Sequence, residues 1–225
     1  MKLTTQQITT IDETLVLNGL IYDDIKLEVT DHIASEIEVK MEESNILFDD
    51  ALYQSLLNWK DQMKPSWSFM LGTNQIAPRI ITQNCHSVIK KQLLISLLIS
   101  LLLTFIILGL LRNFNNEQVI NNIILGFRIL CIISSLLILI SRIMIWQSKY
   151  NTTFGYLFKR NYLIYLIYLP FIGSGLFPLR HYDSNLSLNE VFIFFPIMLF
   201  IGSIFTLNLA YKHFQFEKKL STSKL

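Results

Sequence analysis

Acidic residues are missing where this chain is most hydrophobic. Four long apolar segments, roughly 93–111, 123–140, 162–179 and 191–211, contain no Asp or Glu at mid-depth. That absence argues against a proton- or sodium-coupled carrier built on a carboxylate relay. Cysteine is scarce, with only Cys85 and Cys131 in 225 residues. A disulfide scaffold is excluded, and both thiols are expected to be unbridged. Cys85 is followed by His86, but neighbours on a helix point about 100° apart, a poor geometry for a nucleophile and its base. Residues 1–10 are polar, so no cleavable signal peptide is expected there. The chain has no phosphate-binding loop, no Ser–His–Asp set, no zinc-hydrolase helix and no dinucleotide fingerprint. These absences point away from an enzyme and from any cofactor.

The apolar segments themselves carry the architecture. Each reaches or approaches the roughly 18–20 apolar residues that cross about 30 Å of hydrocarbon. Four transmembrane helices are expected, in an all-α protein whose partner is the lipid bilayer. Charge sets the topology. Arg79, Lys90 and Lys91 precede the first segment; Arg142, Lys149, Lys159 and Arg160 lie between the second and third; Lys212, Lys218, Lys219 and Lys224 follow the fourth. Basic residues are retained in the cytoplasm. Both termini are therefore expected there, with short external loops near 112–122 and 180–190. In a bacterial cell this is a multi-pass protein of the inner (cytoplasmic) membrane.

The first 64 residues form a different region. They hold 13 acidic and 5 basic residues, a net of −8, whereas the remainder is basic, at +10. Such a head has no surface for direct nucleic-acid binding. Its hydrophobic spacing predicts three helices: about 5–18, ended by Gly19; about 22–45, with Ile25, Val29, Ile33, Ile37 and Met41 four apart; and one after Phe48, with Asp49 as N-cap and a stripe of Ala51, Leu52, Leu56, Trp59 and Met63. In the first helix, Ile8, Ile11, Leu15 and Leu17 have near-helical spacing. Pro65 stops the third helix, and Trp67, Phe69, Met70 and Leu71 suit either the headgroup zone or packing on that helix. From Pro78 a single helix is expected to run into the first span. The resulting organisation is an acidic domain at 1–65, a connector and juxtamembrane helix at 66–91, a four-span domain at 92–211 and a basic tail at 212–225.

Within the second helix, Glu28, His32 and Glu36 share a face, with Asp31 beside them. Imidazole and carboxylates suit a divalent metal, but the head lacks a second His or Cys cluster to complete a site, so no metal is expected. The alternatives are a helix-edge contact for Asp31 or His32, or a pH-sensing role for His32. Arg128 lies inside the second span, close to its external end. It can snorkel, or pair with Asp183 or Glu190. Glu28, Asp31, His32, Glu36 and Arg128 are thus the candidate interaction or polar residues. Ser96, Ser100, Thr104, Ser134, Ser135, Gly202 and Ser203 suit close helix contact and leave homo-oligomer formation open.

Asp31-His32-Ile33, then Glu36-Ile37-Glu38, then Phe48-Asp49-Asp50-Ala51-Leu52 resembles the small helical HAAS or permease-prefix domains. The likeness covers roughly residues 15–63. It implies a cytoplasmic N-terminal domain that regulates or interacts, ahead of membrane helices in a bacterial protein often encoded beside PadR-like regulators. It also implies core roles for Ile33 and Ile37 and close helix approach at Ala51. Asn45 stands where that family usually has Gly. Two functions follow as expectations. The first is a non-enzymatic sensor or adaptor whose acidic head binds a cytoplasmic or membrane partner. The alternative is a subunit or regulator of a membrane transporter or permease.

Overall fold

The computed structural model describes residues 2–68, 76–113, 117–177 and 186–223, with backbone alone at 111–113, 117, 186–192 and 223. Among the described residues the chain is all-α apart from one short strand pair. Its order is α1 (Thr5–Leu17), α2 (Asp23–Ser44), α3 (Phe48–Met63), β1 (Pro65–Trp67), β2 (Ile76–Pro78), α4 (Arg79–Asn113), α5 (Glu117–Gln147), α6 (Thr153–Gly173) and α7 (Leu186–Ser223). It divides into two compact units. The head unit comprises Met1–Ile89 together with Lys149–Thr153; the second comprises Lys90–Ser148 and Phe154–Leu225.

In the head, α1 begins at a capping box: Gln7 N donates to Thr4 Oγ1 at 3.3 Å, and Thr4 N donates to Gln7 Oε1 at 2.8 Å. It ends before Gly19, whose φ of +88° an L side chain resists. The α2 stripe packs as its four-residue spacing requires, with Ile25, Val29, Ile33 and Ile37 buried beside Ile11, Leu15 and Leu20. Leu17 and Ile8, grouped with the α1 stripe by spacing, are exposed instead. Asn45 ends α2 in the left-handed region at φ 50°, the conformation that Gly takes most readily and Asn tolerates. On α3, Ala51 and Ser55 are fully buried, so two small side chains let α3 approach α2. Asp49 is not the N-cap; Leu47 occupies that position, and the two acids lie in the first turn, where they complement the helix dipole.

The strand pair was not legible in the sequence. Pro65 pairs with Pro78 and Trp67 with Ile76 in antiparallel register. Arg79 N donates to Lys64 O at 3.0 Å, and the Ser66 and Thr82 hydroxyls are hydrogen-bonded to each other. The ribbon therefore ties the end of α3 to the start of α4. Phe69, Met70 and Leu71 lie outside the described residues.

Among the described residues, three helices are long and apolar enough to cross a membrane, within α4, α5 and α7. The protein is a membrane protein. The expected count of four is not matched, because α6 is not among these helices: at 21 residues it is long enough, but Lys159, Arg160 and Asn161 lie inside it and lower its apolar character.

In the second unit, side-chain pairs fix the helix directions. Phe127 meets Phe200, and Ser134 bonds Ser203, so α5 and α7 run parallel. Arg142 lies over Tyr162 and Ile132 against Gly173, so α6 is antiparallel to α5. Lys212 over Phe154 and Tyr165 against Gly202 make α6 antiparallel to α7 as well. Short hydroxyl side chains share the interior with Ile138, Phe158, Leu169 and Leu209: Ser96, Ser100, Thr104, Ser134, Ser135, Ser203 and Thr206 are buried. Leu98, Leu102, Phe105 and Leu136 face outward, as lipid-facing residues do.

Candidate functional site

The first two residues of α2, Asp23 and Asp24, hold the loop between α5 and α6. Asp23 N donates to Asn151 O at 2.7 Å, and Asn151 N returns a bond to Asp23 Oδ2 at 2.8 Å. Thr153 N donates to both Asp24 carboxylate oxygens, at 3.0 and 3.1 Å, and the Thr153 hydroxyl donates to Oδ2. Thr153 is the first residue of α6, so its N–H has no partner within that helix. Asp24 supplies the cap from a helix 129 residues away in sequence. The two acids therefore complement the dipole at the start of both α2 and α6. Thr152 and Thr153 are buried, at 1% and 3% exposure. Charge-assisted bonds shielded in this way are worth more than exposed ones.

No local signal in the sequence pairs Asp23 and Asp24 with Asn151 and Thr153. The one available hint was that an Asn-Thr-Thr run precedes a helix start, as N-cap residues do.

The residues singled out on α2 divide between two roles. Glu28 and Asp31 are exposed. His32 stacks on Trp59 of α3, with ring centroids 6.3 Å apart. Glu36 is the node of the α2–α3 contact: Lys40 lies 2.9 Å away, Asn58 Nδ2 donates to it at 2.6 Å, and Trp59 also hydrogen-bonds it. Partial burial pushes its carboxyl up, but the Lys40 and Asn58 bonds outweigh this and hold it below its ordinary range. Lys40 also reaches Ser55 Oγ at 3.3 Å. The structure thus uses His32 and Glu36 for helix packing and leaves Glu28 and Asp31 on the surface. Among the described residues, no group of three or more His, Cys, Asp or Glu side chains could hold a metal.

Cys85 is buried and His86 exposed, so the pair diverges, and neither cysteine is disulfide-bonded. Arg128 lies at the far end of α6. A methyl group added at Gly175, whose φ is +85°, would sit 3.0 Å from Arg128 Nη1, and the Arg128 Nε is buried without a hydrogen-bond partner among the described residues. Asp183 and Glu190, its expected partners, lie outside the residues with described side chains. Of the α6 tyrosines, Tyr165 packs on Gly202 and bonds Thr206, and Tyr162 lies under Arg142. Both contacts are helix packing.

Comparison with protein-family models, with curated proteins and with solved structures gives no match.

Proposed function

We propose that this protein is a non-enzymatic membrane sensor or adaptor. In this reading its acidic head binds a protein partner and is coupled to the spans through the loop between α5 and α6. The observation that carries the reading is the hold of Asp23 and Asp24 on residues 151–153. That loop is the covalent turn between α5 and α6, yet it belongs to the head's compact unit. A change in how α5 and α6 pack would strain it, and a partner on the head would bias it in return. An outer face is available for such a partner. Tyr53 and Leu57 are exposed on α3, one turn apart, with Leu47 exposed before them and Asp49 and Asp50 beside them. Apolar residues framed by acids suit a basic amphipathic segment. The resemblance of residues 15–63 to the HAAS domains supports an interaction role.

The same reading takes α6 as a short fourth crossing, with both termini in the cytoplasm of a bacterial inner membrane. Two observations support it. The α6 helix lies antiparallel along α5 from Arg142 to Arg128 and along α7 from Lys212 to Gly202. The basic residues at 212–219 match those around the 149–160 loop, which the positive-inside rule keeps on one side.

The alternative, a regulator or subunit of a transporter, draws on the buried hydroxyls of Ser134, Ser203, Tyr165 and Thr206 in the spans. One experiment separates the two. A photoreactive residue replaces the exposed Tyr53 and is activated in intact cells. The adaptor reading expects one specific cytoplasmic protein, captured in a yield that changes at least several-fold in Asp24→Asn. Capture of a transporter subunit would favour the alternative. No specific adduct, or a yield indifferent to Asp24→Asn, would count against coupling through the loop.

A further inference from the structure

We propose that the end of the α5/α6 groove nearest the 148–152 loop binds the phosphate headgroup of an anionic lipid, with Arg142 as its main ligand. Arg142 lies near the end of the apolar run of α5, and its guanidinium carbon stands 5.2 Å over the Tyr162 ring. A cation held over an aromatic ring in this way keeps its N–H groups available to an acceptor. Arg142 Nε is buried and has no hydrogen-bond partner among the described residues. A buried donor of this kind is costly unless something accepts from it. The protein offers no described acid for the purpose. Glu217 is the one acid in this unit with a described side chain, and it lies about three turns further along α7 than the level of Tyr162.

The planar guanidinium fork is matched to an oxyanion that accepts two N–H bonds. Lys159, one turn before Tyr162 on α6 and exposed, adds a second positive charge. The surroundings select a lipid over a free ion. Trp146, one turn beyond Arg142 and 76% exposed, has the ring type of an interfacial anchor, and Leu139 and Ile143 are exposed beside it as a wall for acyl chains. Basic sites between membrane helices on the cytoplasmic side recognise anionic headgroups in this way. The inference is independent of any partner of the head.

The test uses the full chain in detergent, with native mass spectrometry of lipids retained from an equimolar mixture of phosphatidylglycerol and phosphatidylcholine. The wild type is expected to keep phosphatidylglycerol selectively. Arg142→Gln should weaken that retention by about tenfold, the loss of one charged hydrogen-bonded contact. Lys159→Gln, exposed and uninvolved in packing, should weaken it a few-fold, so the proposal stays testable even if Arg142→Gln folds poorly. Lys218→Gln, distant on α7, should change nothing. Equal retention of both lipids by the wild type, or no loss in Arg142→Gln and Lys159→Gln, would overturn the proposal. Displacement of the lipid by millimolar inorganic phosphate would assign the site to a free oxyanion and overturn the lipid assignment.

Discussion

In the head, Ile11, Leu15, Ile33 and Ile37 are buried while Glu28, Asp31 and Glu43 face solvent; in the second unit, Ser100 and Ser203 are buried while Leu98, Leu102 and Phe105 are exposed. The same chain exposes different side chains in its two units because they meet different solvents. Water drives apolar side chains inward in the head. Hydrocarbon is as apolar as leucine, so in the spans close packing and hydrogen bonding choose the interior, and small hydroxyl residues share it with Ile138, Phe158, Leu169 and Leu209. The loop at 149–153 belongs by composition to the second region and by contact to the first.

The comparison can be broken most forcefully in the head. Ile33→Ala should cost about 2–5 kcal/mol, the range for emptying a fully buried site. Limited trypsin digestion of the full chain should then cut within the head while the spans remain protected. In the second unit the equivalent insult is added bulk. Gly202→Ala would place a methyl 2.5 Å from the Tyr165 hydroxyl oxygen, and overpacking of this kind costs about 1–3 kcal/mol. Thermal unfolding in micelles should show the loss, and Tyr165→Phe in the same background should recover part of it.

Asp24→Asn keeps the shape and removes the charge at the loop. We expect a loss of about 1–2 kcal/mol in loop docking, read as roughly tenfold faster hydrogen exchange at the Thr153 amide. The pH response of the α2–α3 contact has a definite sign. Glu36 has its native pKa held below its ordinary value of 4.5. The stabilisation it contributes is therefore complete above about pH 4.5 and is lost as pH falls through the lowered native value. Circular dichroism melts from pH 7 down to 3 should show the head weakening in that acidic range, and Glu36→Gln should flatten the response. The smallest effect is expected at a lipid-facing site: Leu102→Ala should change stability by under about 0.5 kcal/mol, although the same substitution at Ile33 is severe.

Much of the fold was legible in the residues, for physical reasons that also mark where legibility ended. The four-residue spacing on α2 is a local property, and it located Ile25, Val29, Ile33 and Ile37 in the core. Apolar length is equally local, and it located α4, α5 and α7. It is a weaker guide at α6, because Lys159 and Arg160 lie within that helix. The ribbon of Pro65–Trp67 with Ile76–Pro78 was missed because three-residue strands have too little periodicity to read. The Asp23 and Asp24 contacts were missed because a carboxylate that caps a distant helix looks the same in sequence as one that caps its own. Glu36 and His32 were noticed for their shared face, and that face proved to be one of packing against Asn58 and Trp59.

The most direct test of the account is the distance distribution between nitroxides placed at Glu13 and Lys149, both exposed and both in the head unit, measured by double electron–electron resonance on the full chain in nanodiscs. The account predicts one narrow distribution in the wild type that broadens when Asp23 and Asp24 are both changed to Asn. A distribution already broad in the wild type, or one unmoved by the double substitution, would contradict it.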